Sequence, residues 1–151
     1  MMGGGQQQLQ QLSQQLQALE EEIEALEAEI ESYRSEKTGI DEAVEAIETL
    51  ETGSTVQVPL GGGAHVRASV EDIDDIVVSL GGNYAATQAQ DDAIDVLRRK
   101  QDALDDRIEE TQASVDELES ESSELERQAQ QMQQQMQQQQ MQQLSQDADE
   151  E

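Results

Sequence analysis

Apolar side chains recur at alternating steps of three and four residues over two long stretches of this chain. The first stripe runs from Leu9 through Leu12, Leu16, Leu19, Ile23, Leu26, Ile30, Tyr33, Ile40 and Val44 to Ile47, broken only by Lys37. The second runs from Ile94 through Leu97, Leu104, Ile108, Val115, Leu118, Leu125 and Ala129 to Met132, with Gln101, Thr111 and Ser122 as its polar members. An average spacing of 3.5 residues keeps one narrow seam facing a partner helix, the signature of a coiled coil. The pattern predicts two long helices folded back on each other: a mainly α chain, with an antiparallel two-helix coiled coil joined by a β-rich elbow.

At the elbow the period changes from 3.5 to 2. Val56, Val58 and Leu60 alternate with Thr55, Gln57 and Pro59, and Val66, Ala68 and Val70 repeat the alternation after Gly61-Gly62-Gly63. That is a β-hairpin, with Pro59 confined to an edge or strand end because it lacks an amide donor. Ile76, Val78 and Leu80 precede a second turn signal, Gly81-Gly82-Asn83, and Tyr84 to Ala86 is the return strand. The expected organisation is a flexible lead over residues 1–5, a first arm over 6–52, a double hairpin over 53–86, a second helix over 87–144 and a disordered acidic tail over 145–151. Two isolated hairpins are only marginally stable in water, and their open edges need cover. Assembly through this block is the expected resolution.

Composition excludes several functions. Phe, Trp and Cys are absent and there are two Tyr, so neither a large aromatic core nor a disulfide or thiolate metal site is available. Eight basic residues against 35 acidic ones give a net charge of −27, which repels nucleic acid and anionic membranes. Acids scattered through both helices suit molar salt, where the Debye length falls to about 3 Å and self-repulsion is screened. No apolar run approaches a membrane span, and the first residues lack the basic and apolar regions of a signal peptide. A cytoplasmic location is expected.

The chemistry-bearing candidates are weak. Asp91, Asp92 and Asp95 spell a DDxxD-like cluster, but a two-helix scaffold offers no facing acidic cluster across a deep cavity, and acids at a helix start favour the dipole. Asp72, Asp74 and Asp75 lack EF-hand spacing, and Gly61–Gly63 is followed by no GK[ST]. His65 is the single histidine and has no Cys or second His to pair with. Neither an enzyme nor a resident metal or cofactor is expected.

One end of the arms has its own composition. Gln dominates both helices there, with Leu9 and Leu12 on the first and Met132, Met136, Met141 and Leu144 on the second. Met is flexible and polarisable, which suits promiscuous contacts. Uncharged Gln leaves a gap in an otherwise acidic surface, where apolar segments of another chain approach without a charge penalty.

The order helix, two hairpins, helix, with Gly53-Ser54-Thr55-Val56-Gln57-Val58-Pro59-Leu60-Gly61-Gly62-Gly63 at the elbow and Val77-Val78-Ser79-Leu80-Gly81-Gly82-Asn83-Tyr84 after it, closely resembles the alpha-type subunits of archaeal prefoldin. The similarity spans about Gln6 to Gln143, and the acidity fits a halophilic member. It implies a hexamer of two alpha and four prefoldin beta subunits, with the hairpins joined into an oligomeric β-barrel platform. It further implies an ATP-independent holdase that captures unfolded polypeptides at its coiled-coil tips and passes them to a group II chaperonin. Carried onto this chain, the client-binding residues are Leu9, Leu12, Leu125, Met132 and Met136, and assembly rests on Val56, Val58, Leu60, Val66, Val70, Ile76, Val78 and Leu80. The long Gln/Met extension departs from the family pattern. The alternative is a structural coiled-coil spacer or tether whose β elbow dimerises.

Overall fold

The computed structural model describes residues 2–149. Helix α1 covers Met2–Thr49, strands β1 to β4 cover Thr55–Gly61, Ala64–Ser69, Ile76–Gly81 and Tyr84–Gln88, and helix α2 covers Gln90–Asp149. The two stripes emerge as predicted: from Leu9 to Ile47 and from Ile94 to Met132 every stripe position is buried or half-buried, Lys37, Gln101, Thr111 and Ser122 included. The chain divides into two compact units, one made of residues 32–108 and the other of the residues up to 31 together with those from 109 onward.

In the unit of residues 32–108 the buried apolar side chains are Val44, Val78 and Ala93. The end of α1 and the start of α2 are tied through one side chain. Gln90 Nε2 donates to the carbonyls of Ile47 at 2.7 Å and Leu50 at 3.3 Å, two of the orphan acceptors that a helix C-terminus leaves. The Gln90 amide in turn donates to Asp74 Oδ1 at 3.3 Å, and Asp91 and Asp92 occupy the first turn of α2, where their charge favours the helix dipole. Gly53, at φ 91°, turns the chain out of α1, and its amide donates to the Val70 carbonyl at 2.7 Å to close the base of the first hairpin.

The hairpins repeat one design twenty residues apart. β1 pairs antiparallel with β2 and β3 with β4, and the register slips at Leu60 in the first hairpin and at Leu80 in the second. Each slip is followed by a glycine in the left-handed region, Gly61 at φ 100° and Gly81 at φ 92°. The two turn residues after each also have positive φ, Gly62 and Gly63 in one case, Gly82 and Asn83 in the other. Positive φ at both central positions is the twist-matched geometry that a tight hairpin requires. No closed barrel exists within the single chain: each sheet has two strands, and every strand has one unpaired edge among the described residues.

In the other unit Ile30 and Val115 are buried and the stripe positions around them half-buried. Four boundaries differ from the sequence expectation, the first being the end of α1, which stops at Thr49 and not at 52. α1 is helical from Met2, through the residues expected to form a flexible lead; a Cβ placed on Gly5 would lie 3.3 Å from Met136 Sδ, so the bare glycine admits the facing methionine closely. α2 begins at Gln90 and not at 87, because β4 continues to Gln88. α2 also continues through Asp149, past Leu144 where a disordered tail was expected, since residues 90–149 contain no Pro or Gly to stop it. Residues 150 and 151 of that tail lie outside the described residues.

Candidate interaction surfaces

Directly paired residues of an antiparallel ladder share a face. Val56, Val58, Val66 and Ala68 therefore line one side of the first hairpin, and Thr55, Gln57, Pro59, His65, Arg67 and Ser69 the other. The apolar side is not covered by the rest of the chain: Val58 and Val66 are exposed and Leu60 is 69% exposed, while Val56 and Val70 are half-buried. In the second hairpin Ile76 is half-buried, Leu80 exposed and Val78 buried. The eight predicted assembly residues thus separate into those the chain already covers, Val78 above all, and those it leaves open.

Sequence alternation missed two open side chains, Val77 at 68% and Tyr84 at 77% exposure. Val77 pairs with Thr87 on the face opposite Val78, so β3 is apolar on both sides. The signal was present in the run Ile76-Val77-Val78, which reads as a strand covered on both faces rather than on one.

A groove is lined by Ile40, Ala43, Leu97 and Leu104 of the helices and Leu80 and Gly81 of the second hairpin, together with Lys100 and Arg107. The Arg107 guanidinium lies 6.0 Å from the centre of the Tyr33 ring, within cation–π range. Nearby, two polar members of the stripes, Lys37 and Gln101, form a network. Lys37 pairs with Asp105, and Gln101 donates to the Lys37 carbonyl at 3.1 Å and to Asp41 Oδ1 at 2.7 Å. Arg98 donates to Asp41 at 2.9 Å and to Gln101 at 2.7 Å. The hydrogen bond from Gln101 and then that from Arg98 hold the Asp41 carboxyl below its usual pKa.

The distal surface belongs to the unit that holds both Gln-rich segments. Leu9, Leu16, Ala129 and Gln133 line one shallow groove, and Leu9, Leu12, Leu125, Met132 and Met136 are all half-buried in the seam. Met141 and Leu144 are far more open, at 73% and 70%, in a second shallow groove with Gln134, Gln137, Gln138 and Gln140. They fall off the stripe: steps of three and four from Met136 lead to Gln139 and Gln143. The most accessible apolar residues of this end are therefore not the five that resemblance selects.

The acidic candidates are engaged in local structure. Asp72 Oδ1 accepts the Asp74 amide at 3.0 Å, and Asp74 accepts the start of α2. No group of three or more His, Cys, Asp or Glu among the described residues is placed to hold a metal ion. No described helix is long and apolar enough to cross a membrane.

A family model described as "Prefoldin subunit" matches residues 12–142. A protein named prefoldin subunit alpha from Halorubrum lacusprofundi is 79% identical over 112 residues, covering 74% of this chain and 74% of the relative. Another of that name from Halobacterium salinarum is 68% identical over 108 residues, covering 72% and 70%. Among solved structures, a chain of filamentous PFD from Methanocaldococcus jannaschii superposes with a TM-score of 0.51 at 27% identity, covering 78% of this chain and 93% of that one.

Proposed function

This chain belongs to the prefoldin family, and from that premise we propose how it works as a chaperone subunit: it holds unfolded polypeptides at the distal end of its helices, without ATP and without catalysis. It assembles with other prefoldin subunits through the two hairpins, in a hexamer of two alpha and four beta subunits located in the cytoplasm. Its clients pass to a group II chaperonin. The observation that carries assembly is the set of apolar side chains the chain cannot cover itself, Val58, Leu60, Val66, Val77, Leu80 and Tyr84. Such surface on hairpins with open edges needs a partner. Client holding draws on Met141 and Leu144 together with the half-buried Leu9, Leu12, Leu125, Met132 and Met136.

The test is light scattering from a chemically unfolded client diluted into molar KCl, with the chain assembled with the subunits that co-purify with it. Suppressed scattering in the absence of nucleotide supports the holdase. Unsuppressed aggregation from a demonstrably assembled sample leaves a structural spacer as the better account.

A further inference from the structure

The methionines of this chain are gathered in one place. Apart from Met1 and Met2 they are Met132, Met136 and Met141, all within ten residues of α2. The chain has no Cys and no Trp, so these thioethers are its most readily oxidised side chains away from the N-terminus. Their surroundings differ. Met132 and Met136 stand one helical turn apart on the seam face and are half-buried, whereas Met141 lies off the stripe and is 73% exposed. Met136 closes over Gly5 of α1: a Cβ built on that glycine would meet Met136 Sδ at 3.3 Å, Cε at 3.7 Å and Cγ at 3.8 Å. Beyond Leu125 the α2 side of the seam consists of Ala129, Met132 and Met136, so two thioethers supply most of the apolar surface with which α2 meets α1 there. No side chain in residues 1–19 or 128–146 is ionisable, so no ion pair within these segments reinforces the pairing.

We propose that Met132 and Met136 form an oxidation-sensitive latch on the helix pair, a modification site for two-electron oxidants of the peroxide class. The Sδ lone pair attacks one peroxide oxygen, and the S–O bond forms as the O–O bond breaks. The departing hydroxide takes up the proton left on the transferred oxygen and becomes water. Each sulfur gives up two electrons and ends as a sulfoxide, and the peroxide is reduced. A sulfoxide is polar and chiral, and its oxygen requires water or a donor. Facing Gly5, Sδ already sits at close van der Waals range. An oxygen added on that side forces the helices apart, and one turned to solvent draws the thioether out of the seam. In both cases α2 keeps only Ala129 as an apolar contact beyond Leu125, and the pairing opens from Met136 back toward that leucine. Met141, off the seam and open to solvent, reacts first and without effect on the pairing, which gives the latch a threshold. The change is reversible, because sulfoxide reductases return the thioether with two electrons from thiols. The latch is a property of the helix pair and holds whatever that end binds.

The test exposes the full chain, assembled with the subunits that co-purify with it, to rising hydrogen peroxide in molar KCl. Peptide mass spectrometry locates the sulfoxides, and amide hydrogen exchange is read on residues 4–12 and 126–138 of this chain. With Met141 alone oxidised, exchange should match the untreated protein. With Met132 and Met136 oxidised as well, exchange should be about tenfold faster in both segments, the mark of local opening. Methionine sulfoxide reductases with dithiothreitol should restore the slow rate. The Met132→Leu/Met136→Leu variant keeps an apolar seam and retains Met1, Met2 and Met141, so it should show no acceleration at any dose. Acceleration in that variant puts the cause at another residue and overturns the proposal. Unchanged exchange in wild type, with both seam methionines demonstrably oxidised, overturns it equally.

Discussion

Gln101 on α2 donates its side-chain amide to Asp41 Oδ1 on α1 across 2.7 Å, and Arg98 reaches the same oxygen at 2.9 Å. With Lys37 paired to Asp105 and Gln101 bonded to the Lys37 carbonyl, two of the stripe interruptions answer each other inside one unit. A polar layer of this kind fixes which turn of one helix faces which turn of the other, because a slip leaves its members unpaired.

The layer has a pH signature. The Asp41 carboxyl is held below its ordinary value of 3.8, first by the hydrogen bond from Gln101 and then by that from Arg98. A depressed folded-state pKa contributes stability that is present above the unfolded pKa and lost as pH falls through the folded one. Asp41→Asn should therefore be less stable than wild type at neutral pH, with the gap closing below about pH 4. Urea midpoints of both proteins at pH 7 and pH 3, in molar KCl, check it; a gap that does not change with pH refutes the electrostatic account.

Gln90 ties two helices whose ends are joined by forty residues of hairpin. Gln90→Ala removes its bonds to the carbonyls of Ile47 and Leu50 at a half-buried site and should cost about 1–2 kcal/mol. Gln90→Glu should cost more, since a carboxylate facing those carbonyls repels where the amide donates. Chemical denaturation followed by circular dichroism measures both.

Much of this arrangement was legible in the sequence. A 3–4 repeat sustained from Leu9 to Ile47 has one physical solution, and the structure leaves every one of those positions buried or half-buried. The turns were equally legible, because Gly61–Gly63 and Gly81-Gly82-Asn83 supply the positive φ values that two tight hairpins need. Element ends were not. Gly3 to Gly5 are poor helix formers, yet α1 includes them, with Met136 packed close to Gly5. The partners that Lys37 and the Gln90 side chain find on the other helix were illegible for another reason, since they depend on register between segments 40 or more residues apart. At the candidate surfaces, alternation identified Leu60 and Leu80 but placed the buried Val78 with them and passed over Val77 and Tyr84.

The glycines divide by conformation. Gly39 lies inside α1 with nothing within 4 Å of an added Cβ, so Gly39→Ala should stabilise the chain by about 1 kcal/mol through helix propensity. Gly81 has equal room but φ of 92°, where a side chain is strained; Gly81→Ala should destabilise the second hairpin by about 1–2 kcal/mol. Thermal melts that order the proteins as Gly39→Ala, wild type, Gly81→Ala verify both, and a Gly81→Ala melt equal to wild type contradicts the strain argument.

Exposure separates side chains that hold the hairpins together from those that await a partner. Leu60 is 69% exposed and Leu80 51%, so Leu60→Ser/Leu80→Ser should shift the stability of the isolated chain by no more than about 0.5 kcal/mol. The same pair should sharply reduce assembly with other prefoldin subunits, because the proposed interface rests on the exposed apolar side chains of the hairpins. Val78 is 5% exposed, and Val78→Ala should cost the isolated chain about 1–2 kcal/mol through lost transfer energy and a cavity. Denaturation of the isolated chain and size-exclusion chromatography with light scattering of the mixed subunits, both in molar KCl, give the two readouts. A double serine variant that assembles like wild type would remove the hairpin tips from the interface and leave Val58, Val66, Val77 and Tyr84 to carry it.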